Sequence, residues 1–172
     1  MKKKMLLIGL VAITCVVGIL ICCAYSLPDG KTIESREELL DNAIFTGESW
    51  SIAKEIEIDN YIISAAYSTD NKSTIAVFKP ESNGRYQFST STNRNSDEII
   101  VGGAIINGDW YDLIWFNGAQ TEYAEIIYTI NGKENKPLRY DTTDMDIIYN
   151  KNAEKDYSMK VYYYDSEGNR YE

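Results

Sequence analysis

The dipeptide Asn-Gly occurs four times, at Asn83-Gly84, Asn107-Gly108, Asn117-Gly118 and Asn131-Gly132, each between runs rich in Ile, Val, Thr, Tyr and Trp. Both residues tolerate positive φ, which a two-residue turn between antiparallel strands requires, so each dipeptide signals a hairpin. Asp59-Asn60 offers another such turn, and Asp165-Ser166-Glu167-Gly168-Asn169 a last one. The spacing predicts strands at 50–58, 61–68, 73–79, 85–90, 98–106, 109–116, 119–130 and 157–165, with a weaker one at 145–149. Residues 141–156, polar and acidic apart from Ile147-Ile148-Tyr149, read mainly as a loop.

One helix is predicted. After a turn at Leu27-Pro28-Asp29-Gly30, Ser35-Arg36-Glu37-Glu38 fits a capping box that opens a short helix running to Ala43. Such a helix is only about 14 Å long, too short to cover an open sheet of eight or nine strands. The fold class is therefore all-β, an antiparallel β-sandwich or partly closed barrel of about 8–9 strands with one short capping helix.

Counting outward from Asn107-Gly108 and Asn117-Gly118 as two-residue turns sets the register of a three-strand meander. One face carries Ile100, Ala104 and Ile106 beside Tyr111, Leu113 and Trp115, next to Ala124, Ile126 and Tyr128. The other carries Val101, Gly103 and Ile105 beside Trp110, Asp112 and Ile114, next to Tyr123 and Glu125. A sheet with one wetted face alternates apolar and polar residues. Here both faces are largely apolar, so the meander should be covered on both sides, by the helix, another sheet or a partner.

On the second face this register sets Asp112 opposite Gly103 and Tyr123, and Trp110 opposite Glu125. Two aromatics and two carboxylates beside a glycine make Trp110, Asp112, Tyr123 and Glu125 the candidate ligand-binding set. The rings would stack on a sugar or apolar ligand, and the carboxylates would accept hydrogen bonds or act as an acid–base pair. The plainer alternative is ring packing at the rim with solvated carboxylates. On the last strand Met159, Val161 and Tyr163 share one face and Lys160, Tyr162 and Tyr164 the other, which makes Tyr162 and Tyr164 outward candidates for an interface.

The N-terminus sets the chain's location. Lys2, Lys3 and Lys4 precede an uncharged, mostly apolar run at residues 5–25, long enough for the about 20 residues of a membrane-spanning helix. A secretory signal has an apolar stretch of only about 7 to 15 residues. The reading is an uncleaved single-pass anchor at residues 1–26, with the lysines cytoplasmic and residues 27–172 exported as one domain. Two alternatives stand beside it. Ala24-Tyr25-Ser26 has the small-residue spacing of a signal-peptidase site, and Cys22-Cys23 lies where a bacterial lipoprotein is acylated, although Ile21 and Cys22 precede these cysteines instead of a small residue.

Composition narrows the function. Cys15, Cys22 and Cys23 all sit in the apolar run, so the domain carries no thiol and no disulfide, and the chain has no histidine. The usual general base, the Ser-His and Cys-His pairs and the commonest zinc ligands are thereby excluded. Asp141, Asp144 and Asp146, and Asp165, Glu167 and Asn169, offer hard oxygens without the spacing of a calcium loop, and no metal or cofactor is assigned. Setting aside the three N-terminal lysines leaves 14 basic against 26 acidic residues, a formal charge of −12. That field disfavours nucleic acid and favours cations. Asn71-Lys72-Ser73 matches a glycosylation acceptor, relevant only in a eukaryotic secretory pathway. The expectation is a non-catalytic extracytoplasmic module that binds a protein or glycan partner. A carboxylate-dependent carbohydrate-active enzyme using Asp112 and Glu125, or a purely structural envelope protein, are the alternatives.

Overall fold

The structure, a computed structural model, describes residues 28–44, 47–92, 99–116, 121–142, 146–152 and 157–171. The anchor expected at residues 5–25 and the Asn117-Gly118 turn lie outside them. Among the described residues no helix is long and apolar enough to cross a membrane. In chain order the elements are α1 (Ile33–Ala43), β1 (Trp50–Ile58), β2 (Tyr61–Ser68), β3 (Ser73–Pro80), β4 (Tyr86–Ser91), β5 (Ile99–Ile106) and β6 (Asp109–Phe116). There follow β7 (Tyr123–Ile130), β8 (Lys133–Glu134), β9 (Leu138–Asp141), β10 (Ile147–Asn152), β11 (Tyr157–Tyr164) and β12 (Arg170–Tyr171).

Turn chemistry behaves largely as the sequence implies. Asp59-Asn60, Asn107-Gly108 and Asn131-Gly132 have positive φ at both positions, and each closes a two-residue hairpin, setting Ile58 opposite Tyr61, Ile106 opposite Asp109 and Ile130 opposite Lys133. Asn83-Gly84 differs: only Gly84 has positive φ, and its N–H donates to the Glu81 carbonyl at 3.0 Å inside a longer loop. The helix also starts earlier than the Ser35 box predicts. Thr32 is its N-cap, accepting from the Ser35 N–H at 3.2 Å. Ser35 turns its hydroxyl back to accept from the Gly30 N–H at 2.8 Å, so it serves the preceding turn instead of capping the helix.

Among the described residues the strands form three antiparallel sheets, ordered β1-β2-β3-β4, β10-β6-β5 and β12-β11-β7-β8, with β9 also paired to β7. Apolar clusters stack them into layers. Leu40 and Ile44 of the helix end pack on Trp50, Ala66, Ala76 and Phe78 of the first sheet. The opposite face of that sheet, with Ile58, Ile63, Ile75 and Val77, meets Ile100, Ile106, Leu113 and Trp115 of the second. The far face of the second sheet, with Ile114, Phe116 and Ile148, meets Ala124, Ile126 and Tyr128 of the third. The apolar two-sidedness of β6 thus has its cause in two flanking sheets, whereas on the far face of β5 Ile99 packs against the third sheet and Val101 and Ile105 are exposed.

Two features depart from simple strand alternation. A bulge between Ile52 and Lys54 shifts the β1–β2 register, so Trp50 and Ile52 face the helix while Ile56 and Ile58 face the second sheet. The same shift turns Glu55 toward the helix, where it forms an ion pair with buried Arg36, the Arg36 Nε–H donating at 2.8 Å. The second feature is a correction: β6 and β7 are not neighbours. β5 and β10 occupy both edges of β6, while β7 pairs with β11 in the third sheet. Residues 111–116 of β6 are buried on both faces, and such a strand needs neighbours that are themselves apolar. Ile147-Ile148 supplies that. β7 alternates buried and half-exposed positions, the pattern of a sheet with one wetted face.

Candidate functional site

The third sheet covers only part of the second. Ile114, Phe116 and Ile148 lie beneath it, whereas Val101, Ile105 and Trp110 of the same face are exposed, Ile105 to 65% and Trp110 to 42%. Where the cover stops, a cleft of about 820 Å³ opens between the two sheets, floored by β5 and β6 and walled by Tyr157 and Met159 of β11 and Asn152 of β10.

Asp112 sits at its base, 5% exposed, opposite Gly103 as the Asn107-Gly108 register predicts. Its other neighbour is Asn150, not Tyr123. The Trp110 indole lies over Gly103 and points its Nε1–H at Asp112 Oδ1, 3.0 Å away, and at the Tyr157 hydroxyl, 2.8 Å away. The Tyr157 hydroxyl donates to the same Asp112 oxygen. The second oxygen, Oδ2, has the Asn152 amide at 3.4 Å. Among the described residues no Lys or Arg lies within ion-pair distance of Asp112. Burial, and then the Asp112 hydrogen bond and charge, push the Tyr157 phenol up to about 12. Tyr157 therefore remains a proton donor to the carboxylate throughout the neutral range. Burial likewise raises the pKa of Tyr128, whose ring packs on Tyr157 at 5.7 Å, with the Asp112 charge adding to the effect.

The structure separates the other two expected residues from this cleft. Ala124 and Ile126 point inward from β7, so Tyr123 and Glu125 alternate to the outer face of the third sheet. Glu125 stands opposite Tyr162 and Arg139 and accepts from the Tyr164 hydroxyl at 3.1 Å. Tyr123 stacks on Tyr164 with centroids 4.5 Å apart and planes 7° off parallel, and Arg139 caps its other side at 3.5 Å. Arg170 covers Tyr162 at 3.7 Å. Tyr162 and Tyr164 thus lie outward, with ring faces already engaged by partners within the chain.

Asp112 and Glu125 open to opposite sides of the third sheet, so they do not form an acid–base pair around one substrate. Tyr157, Asn152 and Met159 complete the cleft and were missing from the sequence-derived set. Met159 lies on the inward strand face that the pleat implies, and what the sequence lacks is the adjacency of sheets. Among the described residues no cluster of His, Cys, Asp and Glu is arranged to hold a metal ion. The chain matches no protein-family model, no curated protein and no solved structure.

Proposed function

We propose that this chain is a membrane-tethered, extracytoplasmic, non-catalytic binding module that engages a partner through the open half of its central sheet. The observation that carries the reading is the combination, in one cleft, of exposed Val101 and Trp110 with the buried carboxylate of Asp112, the exposed apolar surface continuing beyond the cleft to Ile105. Contiguous exposed apolar surface rimmed by polar groups is the ordinary mark of an interaction site. The tether rests on the lysines and the apolar run at residues 5–25. A glycosidase needs two carboxylates flanking one bond, and the divergence of Asp112 and Glu125 weighs against that alternative.

The test is site-directed photo-cross-linking in the membrane of cells that make the protein. A photoreactive residue at Ile105 of the full chain is expected to give a discrete, saturable adduct, and the same residue at exposed Glu167 is not. A membrane-impermeant amine reagent should label exposed Lys133 and Lys136 on intact cells. Equal adduct patterns at both positions would overturn the binding reading, and labelling only after permeabilisation would overturn the topology.

A further inference from the structure

We propose that the cleft receives the primary ammonium of a lysine side chain presented by a partner polypeptide, with Asp112 as its counter-ion and the Trp110 indole as its platform. The inference rests on the binding reading above and names its ligand chemistry.

A buried carboxylate is costly unless a cation compensates it. Among the described residues the groups that face Asp112, from Trp110, Tyr157, Asn152 and Tyr128, are all neutral. The two oxygens are served unequally. Oδ1 takes both the indole and the phenol, whereas among the described residues Oδ2 has the Asn152 amide at 3.4 Å, with the Tyr128 hydroxyl also near the carboxylate, and a carboxylate oxygen with two lone pairs retains capacity for an incoming N–H. A single available oxygen suits a compact ammonium, since the planar fork of a guanidinium is matched to two.

Trp110 rests on Gly103 and is 42% exposed, which leaves ring surface for a cation within about 6 Å. Val101 and Met159 line the same cleft and provide apolar surface for an alkyl stem. The apolar patch continues past the cleft to Ile105 along β5, the edge strand of its sheet. A free amine would leave that stretch uncovered, whereas a polypeptide would lie along it. The acidic field of the domain adds to the attraction of a basic segment.

The full-length chain in detergent micelles reports binding through its own fluorescence, because Trp50 and Trp115 are buried and Trp110 is not. The probes are the blocked tripeptide Ala-Lys-Ala, its norleucine and arginine counterparts, and n-pentylamine. The lysine peptide should shift Trp110 emission saturably, and each of the other three should bind at least about tenfold more weakly. Asp112→Asn should bring the lysine peptide down to the norleucine level, and Trp110→Leu, which removes the fluorescent reporter and is therefore followed by titration calorimetry, should weaken it while the circular dichroism spectrum stays unchanged. Should Asp112→Asn fail to fold, the peptide series on the unaltered chain decides by itself. Equal binding of lysine and norleucine peptides would overturn the charge assignment yet leave the cleft a binding surface. Tighter binding of arginine would overturn the ammonium, and pentylamine binding as well as the lysine peptide would overturn the polypeptide. No saturable shift with any probe would overturn the inference. Joined to an absence of adduct at Ile105, it would remove the binding reading too.

Discussion

The Trp110 indole lies directly against Gly103, so closely that a Cβ on that glycine would come within 2.1 Å of the ring carbon Cζ2. The glycine is therefore a seat for the ring, where the sequence alone suggested a gap for a ligand. Gly103→Ala should lift the indole off the sheet and break its bonds to Asp112 and Tyr157. The expected cost is about 1 to 3 kcal/mol, typical of overpacking, with a shift in tryptophan emission. Denaturant unfolding followed by fluorescence checks both. Unchanged stability and emission would show that the ring does not rest there.

Buried Arg36 of α1 and half-buried Glu55 of β1 are joined in a two-pronged ion pair, with the Ser64 hydroxyl also donating to Glu55 at 2.6 Å. Removing one partner strands the other in a desolvated site, so Arg36→Met should destabilise the domain by about 3 to 5 kcal/mol. Adding Glu55→Gln should restore part of that loss. Chemical denaturation of the two single variants and the double variant measures the coupling, and additive effects would contradict the pairing.

The position of β10 is tested by Ile148, which is buried between the second and third sheets. Ile148→Ala should cost about 2 to 5 kcal/mol, whereas Tyr149→Thr, on the exposed neighbour, should change stability by about 0.5 kcal/mol or less. Similar small effects from both would mean that this segment is the loop its polar surroundings suggest.

Ionisation of the buried phenols sets an alkaline limit. Tyr157 titrates at about 12 in the folded protein against 10.0 for the free group, so the folded state holds its proton more tightly than the unfolded chain. The stabilisation is complete below about pH 10 and is lost as pH rises toward about 12, because the unfolded chain releases its proton first. Unfolding free energies measured across that window should fall, and Tyr157→Phe should make the fall shallower. A flat profile would contradict the buried, Asp112-bonded phenol.

The legible and illegible parts of this fold divide along a physical line. Turn residues with forced φ gave the hairpin positions, and the pleat gave the faces of β5, β6 and β11, including the pairing of Gly103 with Asp112. Adjacency of strands far apart in sequence has no local code. Hence β10 could not be seen beside β6, and Trp110 and Asp112 were grouped with Tyr123 and Glu125 when their true companions are Tyr157 and Asn152. One signal was present. The strict alternation of β7 fits a half-wetted sheet, whereas Ile147-Ile148 fits a strand buried on both faces. The bulge that redirects Glu55 toward Arg36 leaves a fainter trace, Lys54 interrupting the even-numbered apolar series Trp50, Ile52, Ile56 and Ile58.

The central claim is that Val101, Ile105 and Trp110 are exposed because a partner covers them. The most direct measurement places the photoreactive residue at Val101 in the full chain and compares adduct yield in native membranes with and without Ile105→Asp. Ile105 is 65% exposed, so the substitution should alter unfolding free energy by no more than about 0.5 kcal/mol while abolishing the adduct. An undiminished adduct, or a marked loss of stability without any specific adduct in the parent chain, would contradict the account.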